Sequence, residues 1–475
     1  MQFTAIATMI AASAAVVLKF GWGTCVLAAV VLLSLMLLAT RNKSPMVLWI
    51  SPALILLLPA VPFVAFAPAA WLAILLAVSQ SRRLSTAGIP RHIKLLVSLL
   101  LLVVALGAVL GHSNISAAVM IASMFSIPCL LFTSRIHDVN SFNAATKSVL
   151  IAISVGAVLS LTEWFTGSYL ISDFEKYGFF HAPLRNGNIR IQGPFPHALV
   201  LAVILSFGIA LAIGFVLSGH KWALIPLVVM IVALYLSQSR GPALGAIIGY
   251  AVTVGISKGR IGRRSFGFAL LAVFFVILTP LSGAVASTWS SLTTPTLTNE
   301  AAGSLPYRLA VQSAMMDLVK NDPLGVGLSN LQSRDIFVQT SDGRLINAAR
   351  SVDNTYLLTF VELGWAGGAL MAGILVSVAV WTTRSARRFR HSPLYGRVLS
   401  LLAGANVGFL FTSYTVATIG TWVQVAATYW LLFGLSVSAV RLASEESKES
   451  QLHSRSGISA KMAVGAGGIG QLRGT

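Results

Sequence analysis

The feature that most limits how this chain can fold is a ladder of apolar runs, each roughly 16–24 residues long, repeated along most of its length. Runs of that length suit a helix crossing a ~30 Å hydrocarbon core. In lipid every backbone polar group needs a partner within the spanning structure, which leaves helices or closed barrels. The short alternating segments of a membrane barrel are absent from the sequence. The chain therefore reads as all-α, a polytopic helical membrane protein. Its composition, 56% hydrophobic and 10% charged, lies far from that of a soluble domain. The first run, Met1–Leu18, has no basic flank ahead of it and reads as a first span, not a cleaved signal. Cys25 and Cys129 each fall in an apolar run and suggest neither a disulfide framework nor a metal site.

A net charge of +19 invites a nucleic-acid reading, but the distribution of charge argues against it. Loops at Arg41–Pro45, Gln80–Lys94, Ser134–Lys147, Ser218–Lys221, Lys258–Arg264 and Arg384–Arg397, with the tail from Arg441, hold 23 of the 33 Lys and Arg residues. Placing these on the cytoplasmic side reproduces the positive-inside bias. Fourteen spans then alternate without conflict, near 2–18, 22–40, 46–59, 63–79, 95–111, 115–133, 148–166, 194–217, 222–237, 241–257, 266–281, 354–381, 398–416 and 419–440. The third and fourth are short and broken by Pro52, Pro59, Pro62 and Pro68. As a re-entrant pair they would leave twelve crossings and change no other sidedness. The resulting division is a first bundle over 1–281 with an outer loop at 167–193, a large outer loop at 282–353, a last bundle over 354–440, and a polar, disordered cytoplasmic tail at 441–475.

The residues left outside are the ones that call for chemistry. Arg240 lies in the tight turn Ser237-Gln-Ser-Arg-Gly-Pro between two spans. A guanidinium at that depth is costly unless paired, and its fork of donors suits a phosphate, although a lone arginine also snorkels to headgroups. The large loop carries Arg308, Lys320, Arg334, Arg344 and Arg350. Arg308 opens an apolar-periodic stretch (Leu309, Ala310, Met315, Met316, Leu318, Val319) that predicts an amphipathic helix at the membrane surface, stopped by Asn321-Asp322-Pro323. Arg334, Arg344 and Arg350 read as ordinary loop charges, and Gly325-Val326-Gly327 as a turn. Asp353 precedes a span; an Asp there is a common helix cap, yet at a basic mouth its carboxylate could take a proton from a sugar hydroxyl. Glu362 lies some nine residues into the same span, where an acid is paired or functional, whereas Glu163 near a span end reads as structural. His197, after Arg190-Ile191-Gln192-Gly193-Pro194-Phe195-Pro196, could be a base or a ligand, but no second ligand stands at metal-binding spacing.

Taken together, these pieces resemble the O-antigen ligase and Wzy-type polysaccharide polymerase superfamily, from about Arg190 to Gly368. They are Arg190 with Gly193-Pro194-Phe195, the Ser239-Arg-Gly241 turn, Arg308 in the large loop, Pro323-Leu-Gly-Val-Gly327, and Asn354 followed by Gly364-Trp-Ala-Gly367. The resemblance implies glycosyl transfer on the outer face of the bacterial inner membrane, from an undecaprenyl-diphosphate-linked glycan donor to a glycan acceptor, with inversion and without a metal or other cofactor. It implies Asp353, Arg240 and Arg308 as catalytic residues, the arginines neutralising the departing diphosphate. Arg190, Gln192, His197, Asn354 and Glu362 would bind substrate. Ligases of this family usually carry histidine where this chain has Asp353, which favours a polymerase of exopolysaccharide, capsule or O-antigen repeats, with a chain-length regulator as a candidate partner. The alternatives are a ligase acting on lipid A core or protein, and a non-enzymatic transporter or flippase. A transporter predicts mid-span charges and repeat symmetry between halves, whereas this chain gathers its outer basic residues around one dominant loop.

Overall fold

The computed structural model describes residues 88–110, 132–170, 189–257, 305–340, 345–350, 352–392, 395–417 and 422–467, with isolated positions between 52 and 130 and at Gly343. Within them the protein is almost wholly helical. Its elements are α1 (Arg91–Val109), α2 (Val139–Thr166), α3 (Ala198–Leu217), α4 (Leu224–Leu236), α5 (Arg240–Ser257), α6 (Leu305–Asn321), a hairpin of β1 (Phe337–Gln339) and β2 (Leu345–Asn347), α7 (Thr355–Arg388), α8 (Gly396–Thr415) and α9 (Val423–Gly467). Six helices among the described residues are long and apolar enough to cross a membrane: α1, α2, α3, α7, α8 and the Gln424–Lys448 part of α9. These and the shorter helical stretch Lys221–Leu236 fall where the apolar runs predict spans. The expected spans at 2–18, 22–40, 46–59, 63–79, 115–133 and 266–281 lie outside the described residues apart from isolated positions. So does the choice between twelve and fourteen crossings.

Local chemistry sets the helix ends. Asp138 and Ser141 form a reciprocal capping box at the start of α2, with Ser141 N–H donating to Asp138 Oδ1 at 2.6 Å and Asp138 N–H to Ser141 Oγ at 3.1 Å. Three backbone N–H groups elsewhere donate to Glu163, the last acid of that helix: Leu170 to Oε1 at 2.8 Å, Gln192 and Gly193 to Oε2 at 2.7 and 2.9 Å. This buried carboxylate thereby fixes the chain segment that enters α3.

The closest seam in the bundle joins α5 to α8. Gly241, Gly245 and Gly249 recur every fourth residue on α5 and meet Thr415, Thr412, Gly408 and Gly404 of α8. A Cβ at Gly249 would stand 2.6 Å from Gly404 O, and one at Gly245 would stand 2.8 Å from Gly408 O. Only glycine allows the two backbones this near, the packing mode that holds helices together where lipid gives no hydrophobic drive. Thr253 Oγ1 crosses the same seam, donating to Ser400 O at 3.2 Å. Aromatic rings then tie α3, α8 and α9 together, Phe207 to Phe409 at 5.3 Å and Phe409 stacked on Tyr429 at 4.4 Å.

The helix after Arg308's first turn forms as its periodicity predicts, but its buried face is Val311, Met315 and Val319. Leu309, counted with the apolar face from sequence, is 55% exposed. That face packs with Val326, Leu331, Ala348, Ala349, Val352 and the start of α7 to give the segment between α5 and α7 a small core of its own. The hairpin, which the sequence does not announce, pairs Phe337 with Asn347 and Gln339 with Leu345.

The tail from Arg441, expected to be disordered, continues α9 as helix to Gly467. The segment contains no proline. A helix already nucleated by the preceding span propagates at little further cost, which composition alone does not register.

Candidate active site at the outer mouth of the bundle

Side-chain contacts bring several element ends to one place. Thr355 Oγ1, at the start of α7, donates to Val416 O at 2.9 Å, just beyond the end of α8. Thr415, the last residue of α8, lies against Gly241 at the start of α5. Two residues before Gly241, Ser239 is joined to Arg190: Arg190 Nη2 donates to Ser239 Oγ at 3.3 Å and Nε to Ser237 O at 3.2 Å. His197, before α3, stacks on Trp422 before α9, with ring centroids 6.0 Å apart and planes 20° apart. The ends that charge distribution assigns to the outer side therefore meet at one end of the bundle. At the other end, Arg397 Nη1 donates to Leu217 O at 2.6 Å, Ser392 Oγ to Glu446 Oε2 at 2.6 Å, and Arg441 to Thr133 O and Ile136 O.

A break in α7 gives this mouth its shape. Gly364 adopts φ +68°, ψ −170°, a conformation closed to other residues, and divides the helix into a short N-terminal half and a long C-terminal one. In an unbroken helix Trp365 N–H would donate to Val361 O. Here it donates to Pro323 O at 3.1 Å, while Val326 N–H takes Val361 O at 2.8 Å and Gly327 N–H takes Glu362 O at 2.9 Å. The Pro323–Gly327 loop is thus threaded into the break and satisfies the backbone groups that the break releases, each of which would otherwise cost about 1–3 kcal/mol. Gly325 and Gly327 have φ +86° and +92°. A Cβ on Gly325 would lie 2.7 Å from Glu362 O, and one on Gly327 would collide with His112 O. Asn330 Nδ2 and Leu328 N–H bind His112 O and Ser113 Oγ at 2.7 and 3.1 Å, securing the loop to the turn after α1.

The residues singled out from sequence divide on this frame. Asp353 is exposed and does not cap α7; Asn354 does, its Oδ1 accepting from Leu357 N–H at 3.2 Å. The Asp353 carboxylate is therefore left to the mouth. The surrounding protein pushes its pKa up, against the pull of the Arg308 and Arg190 guanidinium groups. Arg190 and Arg308 thus act on one carboxylate from two separate segments. Arg240 stands next to Ser239, which holds Arg190. Arg240 and Arg308 are both exposed, and neither forms a hydrogen bond or ion pair among the described residues. Gln192 is buried, with its N–H on Glu163. Glu362 is buried too, its Oε1 accepting from Ser329 N–H at 3.1 Å, so it anchors the threaded loop. Arg334 is exposed away from these contacts. Arg344 and the Arg350 side chain lie outside the described residues.

His197 caps α3: its Nδ1 accepts from Leu199 N–H at 3.1 Å. No group of three or more His, Cys, Asp or Glu side chains that could hold a metal ion occurs among the described residues. Sequence reasoning missed Ser237 and Ser239 as the clasp of Arg190, and it missed the threading of the Pro323–Gly327 loop. The signal for the second was present in two glycine clusters that are far apart in sequence, each looking like turn punctuation by itself.

Residues 225–372 match the family described as O-antigen ligase. The matched segment runs from α4 through the threaded loop to the C-terminal half of α7, so it holds Arg240, Arg308, Asp353 and the helix break together. The chain is thus similar to that family over this segment of its multi-pass helical bundle. No curated protein matches the chain.

Proposed function

We propose that the protein is a membrane glycosyltransferase that polymerises undecaprenyl-diphosphate-linked oligosaccharide repeats on the outer face of the inner membrane. The observation that carries this reading is that Arg308 and Arg190, on two separate segments, both act electrostatically on the exposed Asp353 carboxylate, with Arg190 held by Ser239 next to Arg240, in a bundle whose residues 225–372 match the O-antigen ligase family. In this reading Arg240 and Arg308 bind the donor diphosphate and stabilise the charge that grows on it as the glycosidic C–O bond breaks. Asp353 takes the proton of the acceptor hydroxyl as that oxygen attacks the anomeric carbon from the opposite face. Inversion follows from a single displacement. Arg190, clasped by the Ser237–Ser239 turn, holds the two halves of the mouth in register. Asn354 and Glu362 fix the half-helix that presents Asp353.

The family's description also favours a second reading within the same chemistry, in which the acceptor is a different molecule, such as a lipid A core, and the protein is a ligase. Both readings are tested by Arg240→Ala and Arg308→Ala. Each should reduce transfer from a lipid-linked donor by roughly 10²–10³-fold at normal protein level, by analogy with the loss of a preorganised charge-stabilising donor. Substantial activity in both variants removes the diphosphate role. Asp353 acts as a carboxylate in this mechanism, so activity is present above its raised pKa and lost as pH falls through it. The acid limb of kcat/KM should therefore begin above the ordinary carboxylate range, and Asp353→Asn should abolish it.

A further inference from the structure

His197 presents a chemical puzzle that its capping role solves only in part. A backbone N–H can only donate, so the Leu199 bond requires Nδ1 to be an unprotonated acceptor. The neutral ring then carries its proton on Nε2. Neither nitrogen is available as a base: Nδ1 is committed to Leu199, and Nε2 already holds hydrogen. Trp422 stacks on the ring and fixes its plane. Among the described residues Nε2 has no hydrogen-bond partner. One serine joins Arg190 to the residue after His197: Ser239 Oγ accepts from Arg190 Nη2 at 3.3 Å and lies 3.5 Å from Ala198 O, so the His197 ring stands in the neighbourhood of the Arg190 guanidinium. A second cation there would repel Arg190; a neutral donor does not.

We propose that His197 is a fixed neutral hydrogen-bond donor of the anion site, its Nε2–H binding a diphosphate oxygen of the lipid-linked donor beside Arg190. This rests on the diphosphate reading above and adds a residue outside the matched family segment, with a stated tautomer and a role distinct from proton transfer.

Capping and donation can be separated. Asn is among the best helix caps, so His197→Asn keeps an acceptor for Leu199 N–H but lacks a donor at the reach of Nε2; His197→Ser is a second variant of the same kind. His197→Ala removes both functions. The probe is undecaprenyl diphosphate titrated into the purified full-length protein in detergent, with the melting temperature recorded in parallel. His197→Asn and His197→Ser should melt as the wild type does and bind the probe on the order of 10-fold more weakly, while His197→Ala should lose both affinity and melting temperature. Wild-type affinity in either capping variant overturns the donor role and leaves the diphosphate reading standing. A wild-type protein with no saturable binding of the probe overturns both.

Discussion

Two regions of this molecule use glycine for opposite ends. Along the α5–α8 seam, Gly241, Gly245, Gly249, Gly404 and Gly408 keep helical geometry and remove side chains so that two backbones can touch. At the α7 break, Gly364, Gly325 and Gly327 abandon helical geometry so that a loop can enter a helix. Packing holds the first region, and directed hydrogen bonds from Val326, Gly327 and Trp365 hold the second. The difference teaches where rigidity and where function sit. The seam fixes the bundle, whereas the break creates a short half-helix whose outer end presents Asp353 and whose orientation depends on the large outer loop.

The largest effect of a single substitution is expected at the seam. Gly249→Leu places a branched side chain against the Gly404 backbone and should abolish a folded, monodisperse protein, as measured by size exclusion in detergent. A well-behaved variant would mean that the seam is not a structural keystone. At the break the effect should be smaller and more selective. Gly364→Ala combines a conformation hostile to side chains with a clash against Pro323 O and should destabilise by about 2–4 kcal/mol. The bundle should survive while transfer is lost. Equal loss of fold in the two glycine variants would mean that the seam and the break serve the same structural role. The mildest test is Glu362→Gln, whose amide oxygen can still accept from Ser329 N–H and should cost less than about 1 kcal/mol. Its rate should fall far less than that of Asp353→Asn. The reverse order would move the chemistry from the helix start into the span.

The spans were legible because the membrane imposes a length and a hydropathy that few residues can violate. The arginines stood out because a guanidinium near lipid needs a reason. Three kinds of information were not legible. The assignment of the cap to Asn354 and not Asp353 turns on one dihedral choice between adjacent residues that both cap well. The glycine seam was invisible to a reading built on apolar runs, since glycine barely alters hydropathy, although its four-residue spacing on both helices was there to be counted. The threading of Pro323–Gly327 through the Gly364 break joins segments some forty residues apart, and no local propensity encodes that pairing.

The most direct test of the account is reconstitution of the purified protein in liposomes with lipid-linked repeat unit as the only glycan, read by gel for product length and by release of undecaprenyl diphosphate. The account predicts a ladder of lipid-linked products with one diphosphate released per added repeat, both lost in Arg308→Ala. A donor that stays intact in the wild-type protein, with its own repeat unit and with added lipid A core as acceptors, would contradict it.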